Sequence, residues 1–200
     1  MTSTADTSPV RDSILATGQR LMAARGFSAV GLNDILTGAG VPKGSFYHYF
    51  GSKDAFGEAM LEAYFADYLA ALDVTLQAPG RSGAARLMAY FDQWRATQSF
   101  ADCQGKCLAV KMAAEVADLS EAMRLSIKRG TAAIVARLAA AIDEGLADGS
   151  LATAASATDS AHSLYQLWLG ASVMAKITRD DAPFAHAAAT TRQLLQLSAA

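Results

Sequence analysis

Two groups of residues in this chain have types and spacings suited to chemistry. The first is the thiol pair Cys103 and Cys107, the only cysteines among 200 residues. Gly105 lies between them and breaks the chain, which places Cys107 at the start of a helix, with Lys106 beside it and Lys111 one turn on. A helix N-terminus and neighbouring ammonium groups both favour thiolate, so the local sequence describes a nucleophilic cysteine. The competing reading is a small buried apolar residue, the usual role of a free cysteine. Cys103 and Cys107 with a histidine such as His162 do not fit the spacing of a closed four-ligand zinc site, so neither metal nor cofactor is expected. Two cysteines are also too few for a disulfide framework, which points to a reducing compartment.

The second group is the stretch Gly40-Val41-Pro42-Lys43-Gly44-Ser45-Phe46-Tyr47-His48-Tyr49-Phe50-Gly51-Ser52-Lys53. Pro42 suits a helix start, where its missing N–H has no intrahelical partner to lose. Gly44 and Ser45 put little bulk on the first turn, so the backbone can approach another surface closely. Phe46 and Phe50, four apart, form an inward face. Lys43, Tyr47 and His48 point elsewhere and offer an ammonium, a phenol and an imidazole to phosphates or base edges. Lys53 falls in the first turn of the next helix, where free N–H groups and the positive dipole end also favour a phosphate.

The elements that must position these groups are helices. Alanine makes up about a fifth of the chain, proline is scarce, and apolar residues recur at three and four rather than alternating. Ser8-Pro9 predicts the start of a first helix with Ile14, Leu15, Gly18, Leu21 and Met22 on one face, ending at Gly26. Short helices over 32–39 and 43–50, joined at Gly40, form a helix-turn-helix. Ser52 caps a long helix to about Gln77. Further helices are expected near 82–101, 106–117, 119–147, 157–178 and 182–197, with Asp118 and Glu121 resembling a capping box. The fold class is therefore all-α: an N-terminal three-helix helix-turn-helix domain over residues 1–53 and a C-terminal helical domain over 54–200.

Composition narrows the function. With 52% hydrophobic and 18% charged residues, the chain is built to bury a core. The net charge of -2 divides into +1 for residues 1–56 and -3 for the rest, too small an excess to hold a polyanion without well-placed donors. The first residues lack a basic segment followed by an apolar one, and no apolar run is long enough to span a bilayer, so a cytoplasmic protein is expected.

The stretch 40–53 resembles the signature of the TetR family of bacterial transcriptional repressors, and the resemblance covers the flanking helices over residues 8–60. It implies base-edge contacts from Lys43, Gly44 and Ser45, and phosphate contacts from Tyr47, His48, Tyr49 and Lys53. Gly31 stands where the family often has a capping Thr or Ser that also touches phosphate, and Pro42 replaces a common Ser. Further segments are similar to the members of the family that sense reactive electrophiles and reactive chlorine: Gly105 to Lys111, Ala114 to Glu121, and Leu167 to Ala171 through Ile177. That similarity implies a sensing role for Cys107 and Lys176.

The expectation is then a homodimer on double-stranded operator DNA, with helices 157–178 and 182–197 packing on their symmetry mates. Trp168, Gly170, Ala171 and Ala175 are the candidates for close approach, although an intramolecular core explains the same stripe. Such a dimer presents recognition helices about 34–36 Å apart, or more widely, and releases DNA when Cys107 reacts. An alternative keeps the repressor but gives it a reversible ligand in a cavity lined by Tyr64, Tyr68, Trp94 and Tyr165. Two others, a thiol-dependent helical enzyme and a protein-binding adaptor, have no supporting motif.

Overall fold

The computed structural model describes residues 8–98 and 108–197, with side chains for 8–97 and 112–197. Among the described residues there are helices and no strands: α1 (Pro9–Arg25), α2 (Leu32–Ala39), α3 (Lys43–Tyr49), α4 (Lys53–Leu76), α5 (Gly83–Gln98), α6 (Leu108–Leu119), α7 (Glu121–Ala147), α8 (Ala157–Thr178) and α9 (Ala182–Leu194). The all-α expectation holds, and the helix ends that lie among the described residues fall within a few residues of those read from caps and breakers; the expected end at 101 and start at 106 lie outside the described residues.

The chain forms two compact units, Met1–Ala66 with Cys107–Lys128, and Asp67–Lys106 with Arg129–Ala200. The first is larger than the segment 1–53 because three short helices cannot bury enough apolar surface alone. The first part of α4, all of α6 and the start of α7 complete it. Its core joins Ile14, Leu15 and Met22 of α1 to Ile35, Phe46, Phe56, Met60 and Leu61, with Met112, Val116 and Met123 from the later segment.

Local chemistry sets the turns of this unit. Gly26 ends α1 at φ +91°, its N–H bonded to the Met22 carbonyl at 2.8 Å. Gly31 has no side chain with which to cap α2, so Asp34 reaches back and accepts the Gly31 N–H at 2.9 Å. Gly40 closes α2 in the left-handed conformation at φ +66°, which only glycine adopts without penalty. Pro42 occupies the cap position and Lys43 opens α3. Beneath α3, Phe46, Phe50 and Phe56 form a ring cluster with centroids 5.1–5.3 Å apart.

In the second unit α8 and α9 form a hairpin closed at Arg179, and Trp168 is its centre. The Trp168 ring is stacked 4.8 Å from Phe91, and its Nε1–H donates to Thr191 at 3.0 Å. The α5 N-terminus is capped from the loop after α7, where Asp148 accepts the Gly83 N–H at 2.8 Å and Ser150 accepts the Ala84 N–H at 3.0 Å.

Two local expectations are corrected. The capping box at Asp118 and Glu121 does not form, because α6 runs through Leu119; Ser120 instead accepts the Met123 N–H at 3.5 Å, and Glu121 pairs with Arg124. Trp168, Ala171 and Ala175 are buried in the single chain, so they offer no surface to a second copy. Of that group only Gly170 faces outward, with nothing near the place of a side chain.

Candidate nucleic-acid interface and sensing segment

The seven residues of α3 divide cleanly between core and solvent. Phe46 is fully buried, whereas Lys43, Gly44, Tyr47 and His48 are exposed and Ser45 is half-buried. The pairs 43/47 and 44/48 are one turn apart, so these four residues form one continuous patch. Lys43 Nζ lies 5.8 Å from the Tyr47 ring centroid, which draws a cation and a phenol together at its edge.

Gly44 is the least expected residue there. Its φ is not positive, and a Cβ on it would meet nothing within 4 Å, so neither conformation nor packing inside the protein requires glycine. A helix tolerates glycine poorly, by roughly 0.5–1 kcal/mol against alanine. Such a residue on an exposed first turn leaves room for something outside the molecule.

Two residues expected to touch phosphate have partners within the chain. The Tyr49 hydroxyl is 2.8 Å from Ser8 Oγ, so the Ser8 hydroxyl bridges to α3 and does not cap its own helix. Lys53 Nζ donates to the Phe27 carbonyl at 2.9 Å and lies 4.4 Å from the Phe27 ring centroid. Ser52 caps α4 as expected, accepting the Ala55 N–H at 3.0 Å.

A carboxylate that the sequence did not single out stands behind this region. Glu115 of α6 accepts the Phe27 N–H at 3.1 Å and the Ser28 N–H at 2.7 Å, gripping the α1–α2 turn from a helix 88 residues away in sequence. Partial burial opposes its charge, but hydrogen bonds from the Ser28 side chain and from the Ser28 and Phe27 amides, with Lys53 nearby, outweigh that and hold its pKa below the ordinary 4.5. Nothing local in the sequence around Glu115 reveals that its partners lie at residues 27 and 28.

Cys103 and Cys107 lie outside the described residues, as does the Lys111 side chain. The helix that follows Cys107 is described: α6 packs on α1 within the unit that contains α3. Lys176 is half-buried in the last turn of α8, in the other unit. Of the four aromatic residues expected to line a cavity, Tyr64, Trp94 and Tyr165 are buried and Tyr68 is half-buried. Trp94 and Tyr165 meet edge to face at 5.7 Å, Trp94 Nε1–H donates to Ser172 at 2.9 Å, and the Tyr68 hydroxyl pairs with that of Tyr90 at 2.9 Å. Tyr64 belongs to the first unit and packs on Phe65.

Comparison with known proteins matches residues 14–60 to the family described as bacterial regulatory proteins, tetR family, and residues 83–191 to the tetracyclin repressor-like C-terminal domain. The chain is 41% identical over 189 residues to the HTH-type transcriptional repressor NemR of Escherichia coli K12, covering 92% of this chain and 93% of that protein. It is 33% identical over 175 residues to the HTH-type transcriptional repressor DhaR of Mycobacterium sp. strain GP1, covering 88% and 86%. The crystal structure of E. coli NemR in its reduced form has a TM-score of 0.91 at 41% identity, covering 96% of this chain and 100% of that one.

Proposed function

The chain belongs to the TetR family of bacterial transcriptional repressors, and from that premise we propose a thiol-switched repressor that leaves its operator when Cys107 reacts with an electrophile or oxidant. The observation that carries the reading is the place of α6. The helix that begins one residue after Cys107 packs on α1 and grips the α1–α2 turn through Glu115, in the same unit as the helix-turn-helix.

In the resting state two copies hold operator DNA. Lys43, Gly44 and Ser45 meet base edges, Tyr47 and His48 meet phosphates, and Gly44 lets the α3 backbone enter the groove closely. Tyr49 and Lys53 serve the same surface through their bonds to Ser8 and Phe27. The second copy is held on the outward apolar stripe of α8, Val173, Met174 and Ile177 beside Gly170.

The signal is covalent. The Cys107 thiolate forms a bond to an electrophilic carbon of a polarised double bond, and the displaced electron pair takes a proton from water, leaving hydroxide in solution. A charge on the residue that precedes Leu108 in sequence is replaced by a neutral thioether of greater bulk, and α6 shifts against α1. Lys176 is proposed as a second sensing residue, by its position in the similarity to electrophile-sensing relatives. None of the described helices is long and apolar enough to cross a membrane, and a cytoplasmic site of action suits DNA binding and a reduced thiol.

Footprinting on the DNA upstream of its own gene, with and without N-ethylmaleimide, tests the reading. Alkylation is expected to weaken binding about a hundredfold, which corresponds to roughly 2.7 kcal/mol of coupling, and Cys107→Ser is expected to abolish the response. Release from Cys107→Ser at the parental level sinks Cys107 as the sensing thiol. Release without loss of free thiol favours instead a reversible ligand, with Tyr68, Trp94 and Tyr165 of the second unit as its candidate lining, a reading encouraged by the hydroxyl pair of Tyr68 and Tyr90 beside this aromatic group.

A further inference from the structure

The turn between α1 and α2 is held by side chains from two other helices. Its Phe27 and Ser28 amides donate to Glu115 of α6, and its Phe27 carbonyl accepts from Lys53 of α4. Both backbone groups of Phe27 are therefore fixed from outside the turn. The surroundings leave little slack: a Cβ on Gly26 would stand 2.9 Å from Glu115 Oε2, and one on Gly57 would stand 2.8 Å from Phe27 Cε2 and 2.5 Å from Met123 Sδ. An apolar contact fixes separation and tolerates sliding, but two charge-assisted hydrogen bonds to one carboxylate also fix direction. Four residues beyond Ser28 the chain enters α2.

On the operator-binding reading above, we infer that Glu115 is a positioning residue: its carboxylate sets the α1–α2 turn, and with it the helix-turn-helix, in the arrangement that fits DNA. A movement of α6 then reaches α2 through two hydrogen bonds, with no need for Glu115 to touch DNA. The assignment also gives Lys53 a structural share in the same clamp, at the opposite end of the Phe27 peptide.

Glu115→Gln keeps the shape but offers one acceptor oxygen and an NH2 that cannot accept the second amide. Glu115→Asp keeps the charge but shortens the reach. In both variants operator affinity of the folded protein, measured on the DNA upstream of its gene, is expected to fall about tenfold. The slope of affinity against salt is expected to stay as in the parent, because the phosphate contacts are the same. Hydrogen exchange at the Phe27 and Ser28 amides is expected to quicken.

A carboxylate that merely faced DNA would give tighter binding once neutralised in Glu115→Gln. A merely stabilising one would lower the thermal midpoint and leave the affinity of the folded fraction unchanged. Either result overturns the inference, as does exchange at both amides that is unchanged in the two variants when the parent binds its operator. A parent that ignores that DNA overturns the regulator reading itself, so the two failures are distinguishable.

Discussion

At Gly44 the protein's own geometry makes no demand for glycine, and that makes the residue a sharp probe of the α3 surface. Alanine there meets open space and removes backbone entropy from the unfolded chain, so Gly44→Ala is expected to leave stability unchanged or raise it by up to about 1 kcal/mol. The same methyl group intrudes on anything that approaches the helix closely, so operator affinity is expected to fall at least tenfold, a loss of about 1.4 kcal/mol. Urea unfolding and a gel-shift titration on one preparation separate the two effects. A variant that is destabilised and binds DNA normally would show that the glycine serves the fold. Lys43 and His48 carry no such contrast, since removing an exposed donor weakens phosphate binding whatever the backbone does.

Among the helices, the contact of α1 with α4 shows how magnitudes settle the sign of a change. Alanine at Gly18 improves helix propensity by up to about 1 kcal/mol, but its Cβ would stand 2.2 Å from Phe56 Cζ. Phe56 is fully buried and bounded by Phe46 and Phe50, so its ring has no room to retreat. Overpacking costs roughly 1–3 kcal/mol, and Gly18→Ala is expected to lower the urea midpoint with an unchanged m-value. These helices were legible in the sequence because their starts and stops are local events: Pro9, Gly26, Gly40 and Ser52 act within one turn of themselves. The exposed and buried faces of α3 were legible for the same reason, from the spacing of Phe46 and Phe50. What the sequence hid is non-local. Glu115 meets amides 87 and 88 residues away, Tyr49 meets Ser8, and Lys53 meets the Phe27 carbonyl, and no periodicity encodes such pairs. Asp118 and Ser120 are both capping residues, and only the extension of α6 to Leu119 selected the serine.

For the whole molecule, the assembly depends on which side of α8 is left outside. Trp168, Ala171 and Ala175 read in sequence as a seam between copies because α8 is apolar on more than one face, but packing on α5 and α9 side chains such as Phe91 and Phe184 turns Trp168 inward. The face that remains carries Val173 and Met174, each nearly half exposed, and Ile177 at 67% exposure. A soluble chain seldom leaves such a stripe uncovered, and a two-fold repressor needs a self-complementary surface. Met174→Glu combined with Ile177→Glu places two charges on a surface where the isolated protomer is indifferent, within about 0.5 kcal/mol each. In a dimer interface the same charges lose their water and repel their mates. Sedimentation equilibrium is therefore expected to show a monomer with an unchanged thermal midpoint at low concentration, and footprinting to show protection of a palindromic site reduced to weak half-site binding. Persistence of the dimer would move the interface away from this stripe, and a monomer that still protected the whole palindrome would remove dimerisation from the mechanism.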